Sequence, residues 1–117
     1  MMAGLITHVL DTSIGKPAYK ILIELYSIDK NCKKKISESF TNKDGRLDNP
    51  LISSENFVKG KYEIVFHVKE YFLKNNLVAP DYNFYENIAI QFSIDEDSHY
   101  HIPLLLSPFG YSTYRGS

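Results

Sequence analysis

The chain has 117 residues, a formal net charge of -1, 44% hydrophobic residues and 23% charged ones. That balance is ordinary for a folded globular domain, argues against a disordered or membrane chain, and offers no basic excess for a nucleic-acid partner. Cys32 is the only cysteine, so no internal disulfide can form, and nine Tyr with seven Phe tilt the expectation towards strands.

At this length a single domain over residues 1–117 is expected. The N-terminus reaches Thr7, His8 and Asp11 before a long apolar run develops, so no signal-peptide core is read there and the expected address is cytoplasmic. Leu5 to Leu10 reads as a strand. Lys20 to Ile28 is apolar on both faces, as suits a central strand or one covered by a partner chain. Lys33 to Phe40 follows, and its Lys33-Lys34-Lys35 run reads as a solvated edge, where lysines oppose edge-to-edge pairing.

Tyr62 to Val68 alternates, with Tyr62, Ile64, Phe66 and Val68 inward and His67 outward on the surface. From His67 to Asn76, Val68, Tyr71 and Phe72 fall at helical spacing and Pro80 follows, which predicts a helix of about two turns. Ile88 to Asp95 is the clearest strand, with Ile88, Ile90, Phe92 and Ile94 on one face. Tyr100 to Leu106 and Tyr111 to Tyr114 are the last candidates. Turn residues separate these runs at Gly15-Lys16-Pro17, Asp29-Lys30-Asn31, Lys43-Asp44-Gly45, Lys59-Gly60 and Ser107 to Gly110. Asp44-Gly45 reads as a hairpin, because glycine accepts the positive φ of tight turns. Seven or eight short strands with one helix predict an all-β, immunoglobulin-like sandwich.

Few residues can carry chemistry. His99 and His101 leave the same strand face, opposite the core set Tyr100, Ile102 and Leu104. Such a pair is a solvated one, half of a metal site, or an acid/base pair. His8 could supply a third zinc ligand, but no HExxH or CxxC element accompanies it. His8 shares its face with Ile6 and Leu10, which also suits a buried, hydrogen-bonded histidine. Arg46 follows a turn, where arginines are commonly solvated yet where functional groups concentrate. Ser107 and Ser117 lack the Gly-x-Ser-x-Gly elbow of a serine hydrolase.

Three blocks narrow these options. Tyr100-His101-Ile102-Pro103 through Ser107-Pro108-Phe109-Gly110 to Tyr114-Arg115-Gly116-Ser117 resembles the C-terminal signature of the 5-hydroxyisourate hydrolases in the transthyretin-like family. Thr7-His8-Val9-Leu10-Asp11-Thr12 resembles their N-terminal strand, and Thr41-Asn42-Lys43-Asp44-Gly45-Arg46 their arginine-bearing turn. The likeness runs from about Leu5 to Ser117, and its closing tetrapeptide is absent from the hormone carriers on the same fold.

The resemblance implies a transthyretin-like β-sandwich that hydrolyses 5-hydroxyisourate to 2-oxo-4-hydroxy-4-carboxy-5-ureidoimidazoline in urate breakdown, with no metal and no cofactor. It implies His8, Arg46 and His101 as catalytic residues, and His8, Arg46, Tyr114 and Ser117 as substrate-binding ones. His99 takes a supporting role and His67 none. The implied partners are the small-molecule substrate and further copies of the chain, in a homotetramer with active sites at the dimer-dimer interface. Outward apolar residues such as Leu105 would then be covered by a neighbour. The alternatives are a non-enzymatic carrier of small aromatic ligands in that channel and, more remotely, a structural adhesion module.

Overall fold

The computed structural model describes residues 4–75, 77 and 83–117. Among these, eight strands form two four-stranded sheets with one α-helix and no closed barrel, as the strand count predicts. In chain order they are β1 (Gly4–Asp11), β2 (Lys16–Pro17), β3 (Leu22–Asp29), β4 (Cys32–Phe40), β5 (Gly60–Phe66), α1 (Val68–Lys74), β6 (Ile88–Ile94), β7 (His99–Ser107) and β8 (Gly110–Thr113). A short 3-10 turn occupies Ser54–Asn56. Asn76 and Pro80, which close the helix reading, lie outside the described residues, as do Met1 to Ala3.

One sheet has the order β2-β1-β7-β8, the other β4-β3-β5-β6. All described pairings are antiparallel except β1 with β7, which run parallel in the register Ile6↔His101 and His8↔Pro103. Period-two alternation sends Leu5, Val9, Leu104 and Leu106 from the first sheet against Ile23, Leu25, Ile64 and Phe66 from the second, all fully buried. Each such side chain contributes roughly 1.5–3 kcal/mol by leaving water. The helix adds Val68, Tyr71 and Phe72 to this core.

Turn chemistry explains several junctions. Lys30 and Asn31 both take positive φ, 47° and 69°, so β3 and β4 are joined by the two-residue hairpin that right-handed strand twist favours. Asp44-Gly45 behaves differently from the hairpin expected of it. It carries the chain from the end of β4 in one sheet to a single bridge between Arg46 and His8 in the other. Two more readings change. Val68 is buried as the first residue of α1 rather than as the end of a strand, because the chain turns at His67. His67 is a half-buried N-cap position whose Nε2 meets Glu24 Oε1, not a free surface histidine.

The lysine run lies on β4, at the sheet edge, as expected, but two of its ammonium groups are engaged. Lys35 pairs with Glu24 and Glu38. Lys33 Nζ donates to both oxygens of the buried Glu63, at 3.0 and 2.9 Å, and Gln91 Nε2 adds a third bond at 3.0 Å. The Lys33 hydrogen bonds hold the Glu63 carboxyl below its ordinary value of 4.5, against the upward push of burial. A depressed carboxyl pKa contributes stability above the unfolded value and loses it as pH falls through the folded one. Lys33→Met should therefore lower the urea midpoint at neutral pH. The gap to the unmodified protein should close as pH drops below 4.5. A gap independent of pH would assign the loss to packing instead.

Candidate active site

The parallel register of β1 and β7 puts His8 and His101 on one face of the sheet. Ile6 and His101 are partners, and His8 lies beside Pro103, so the two imidazoles are diagonal neighbours. The face is the outward one. Leu5, Thr7, Val9 and Asp11 point into the core, whereas Ile6, His8 and Leu10 are half-buried. His8 is thus not the core histidine that its apolar neighbours allowed.

Arg46 reaches this face through a tightly built turn. Thr41, buried, accepts a hydrogen bond from Ile21 N at 2.9 Å and donates to Ala18 O at 2.8 Å, which pins the turn's start. Asn42 Oδ1 accepts from the backbone N–H of Asp44 and of Arg46, at 2.9 and 3.1 Å. Gly45 has φ +73° and lies so close to β1 that a Cβ would stand 2.3 Å from Val9 O. The carbonyl of Gly45 accepts from Val9 N at 2.8 Å, and Arg46 bridges His8.

The turn also orients the His8 ring. Its Nε2 lies 3.0 Å from Asp44 O. A carbonyl oxygen can only accept, so Nε2 carries the proton and the neutral ring keeps its lone pair on Nδ1. Burial pushes the His8 pKa below 6.5, and the Arg46 guanidinium pushes it further, with Asp44 opposing. His101 is lowered too, by burial first, then by Arg46, His8 and His99. Both rings therefore favour their neutral form at pH 7, the state in which an imidazole can take up a proton. His101 Nε2 is buried without a hydrogen-bond partner.

The terminal segment runs back along β7. β8 pairs Leu104 with Thr113, and His101 bridges Gly116 in the same register. Arg115 turns away from the histidines. Its guanidinium lies 4.1 Å from the centre of the Tyr100 ring, and it bonds Ser98 Oγ at 3.2 Å. Tyr114 is 58% exposed. It borders a small apolar cavity of about 160 Å³ that Ile90, Phe92, Tyr100 and Ile102 also line. The β7–β8 register, continued by the His101–Gly116 bridge, sets it beside Pro103, which neighbours His8 on β1. Ser117 is exposed next to Gly116. Among the described residues no three His, Cys, Asp or Glu side chains form a metal-ligand set.

Comparison with known proteins gives this face a context. The HIUase/Transthyretin family matches residues 5–116. The chain belongs to that family. Within the HIUase/Transthyretin family it is 50% identical to 5-hydroxyisourate hydrolase 2 of Rhizobium meliloti, over 97% of this chain and 95% of that protein. It is 44% identical to the 5-hydroxyisourate hydrolase of Halalkalibacterium halodurans over the full length of both. Among solved structures, Klebsiella pneumoniae 5-hydroxyisourate hydrolase superposes with a TM-score of 0.82 at 31% identity, covering 99% of this chain and 100% of that one. Sea bream transthyretin in complex with thyroxine superposes at 0.86 with 28% identity, covering 97% and 94%.

Family resemblance named His8, Arg46 and His101, and the structure brings these three together. It adds groups that residue type alone did not reveal. The Asp44 carbonyl sets the His8 tautomer, and Gly45 lets the turn lie against β1. The available signal was the Asp44-Gly45 pair itself, whose meaning depends on what packs beneath it.

Proposed function

We propose that this protein is a single-domain hydrolase of 5-hydroxyisourate, as the names of its relatives state for those proteins, acting without metal or cofactor. The observation that carries this reading is the shared sheet face on which His8, Arg46 and His101 meet. His8, with Nε2–H committed to Asp44 O, has a lone pair only at Nδ1, so it serves as the base that removes a proton from water. The resulting hydroxide adds to the ring carbonyl. Arg46 stays protonated at any relevant pH and stabilises the oxyanion that develops. The proton taken up by His8 passes to the departing ring nitrogen as the C–N bond breaks, and His101, in its Nε2–H tautomer, donates a hydrogen bond to the same intermediate.

Tyr114 and Ser117, both exposed, orient substrate where chains meet. In this reading the site lies at the dimer-dimer interface of a homotetramer, and the protein is cytoplasmic. No helix among the described residues is long and apolar enough to cross a membrane.

The test is the decay of freshly generated 5-hydroxyisourate, followed by ultraviolet absorbance with and without micromolar protein. Accelerated decay is expected. Its rate should fall on acidification with a midpoint below 6.5, because protonation of His8 removes the base and that pKa is depressed. Unchanged decay would return the reading to a carrier of small aromatic ligands.

A further inference from the structure

Gly116 differs from the chain's turn glycines. Gly15, Gly45 and Gly60 have positive φ, whereas Gly116 does not, so its own backbone angles make no demand for glycine. The demand comes from His101. A Cβ on Gly116 would lie 2.5 Å from His101 Nδ1 and 3.0 Å from Cγ, well inside van der Waals contact. The Gly116 α-carbon therefore rests against the Nδ1 edge of the imidazole. Its N–H donates to His101 O at 2.7 Å, which fixes the segment at that height.

The segment is also held from the other face of β7. Tyr100 and His101 are consecutive and point to opposite sides, and Arg115 stacks on Tyr100 while Gly116 presses on His101. Retreat from the ring would break that stack and the Ser98 bond.

We propose that Gly116 is a positioning residue that seats the His101 ring by its Nδ1 edge and so sets where its unpartnered Nε2 lies. This inference rests on the proposed hydrolysis for its kinetic consequence, but the seat itself can be measured independently. Burial, Arg46 on its turn, His8 on β1 and His99 on β7 together hold the His101 pKa below 6.5. A ring displaced from its seat loses part of that environment.

The experiment compares Gly116→Ala with the unmodified full chain. The kcat for 5-hydroxyisourate should fall by about 10–10²-fold with KM little changed, as misplacement by about an ångström does. The His101 Cε1–H resonance, assigned with His101→Gln, should titrate at higher pH in the variant. Gly110→Ala is the control, since its Cβ would meet only Ser107 Oγ, at 3.7 Å. Arg115→Met frees the segment without adding an atom beside the ring, and should shift the His101 midpoint the same way. It answers the question if Gly116→Ala does not fold. A His101 titration unmoved in the folded variants overturns the inference, whether or not activity falls. Inactive unmodified protein would instead remove the hydrolase reading, and the titration would still decide the seat.

Discussion

His8→Ala, Arg46→Ala and His101→Ala should each lower kcat/KM for 5-hydroxyisourate by about two orders of magnitude or more, the usual cost of losing an acid/base or oxyanion group. The three act on one tetrahedral intermediate, so the losses should not add. The His8→Ala/His101→Ala double variant should be little worse than the poorer single one. His67→Ala is the matched control, because that imidazole is engaged with Glu24 on the other sheet. Circular dichroism should show all four folded. If His67→Ala costs as much as His101→Ala, the site lies elsewhere.

Gly45→Ala should be the most damaging single-methyl change outside the catalytic groups. Two costs combine there. Left-handed backbone at φ +73° costs a side-chain-bearing residue roughly 1–2 kcal/mol. The new methyl would also stand 2.3 Å from Val9 O and 3.1 Å from Pro17 Cβ, and a main-chain oxygen cannot rotate aside. The turn must lift from β1, weakening the bond from Val9 N and carrying Arg46 away from His8. A loss of more than about 2 kcal/mol in urea unfolding, with activity down at least tenfold in whatever remains folded, is expected. Gly15→Ala separates the two costs. Its φ is +67°, yet nothing lies within 4 Å of the added methyl, so it should lose only the backbone part. Equal losses at the two glycines would mean that the approach to Val9 does not matter.

The strands were largely legible because alternation is a local property. Ile88, Ile90, Phe92 and Ile94 share a face whatever their sheet does, and both Ile88 and Ile94 are buried. The errors fall where a residue's meaning depends on a distant partner. Nothing near Asp44-Gly45 reveals that its glycine lies under Val9 of another sheet, so it read as a hairpin. Likewise, His67 looked solvated because Glu24, which it contacts, is 43 positions away.

The site divides along the same line. Resemblance supplied the identities of His8, Arg46 and His101, but neither the His8 tautomer, which follows from the Asp44 carbonyl, nor the close approach of Gly116 to the His101 ring. For Tyr114, the motif implied a place at the substrate, and the strand register that sets it beside Pro103, next to His8, emerges only from the fold.

The parallel joining of β1 to β7 has a consequence for the newly made protein. Thr7 Oγ1 donates to Ile102 O across 95 positions of chain, and the whole second sheet is synthesised between them. A ribosome adds roughly 5–20 residues per second, so β1 waits for several seconds before its partner emerges. During that interval the main-chain groups of β1 that face β7 are an open edge, available to a chaperone or to another nascent chain. Once synthesis is complete, closure of so distant a pair is slow compared with local hairpins. Catalytic competence is therefore one of the last properties a translating chain acquires, and stalled products lacking β7 should be both inert and sticky.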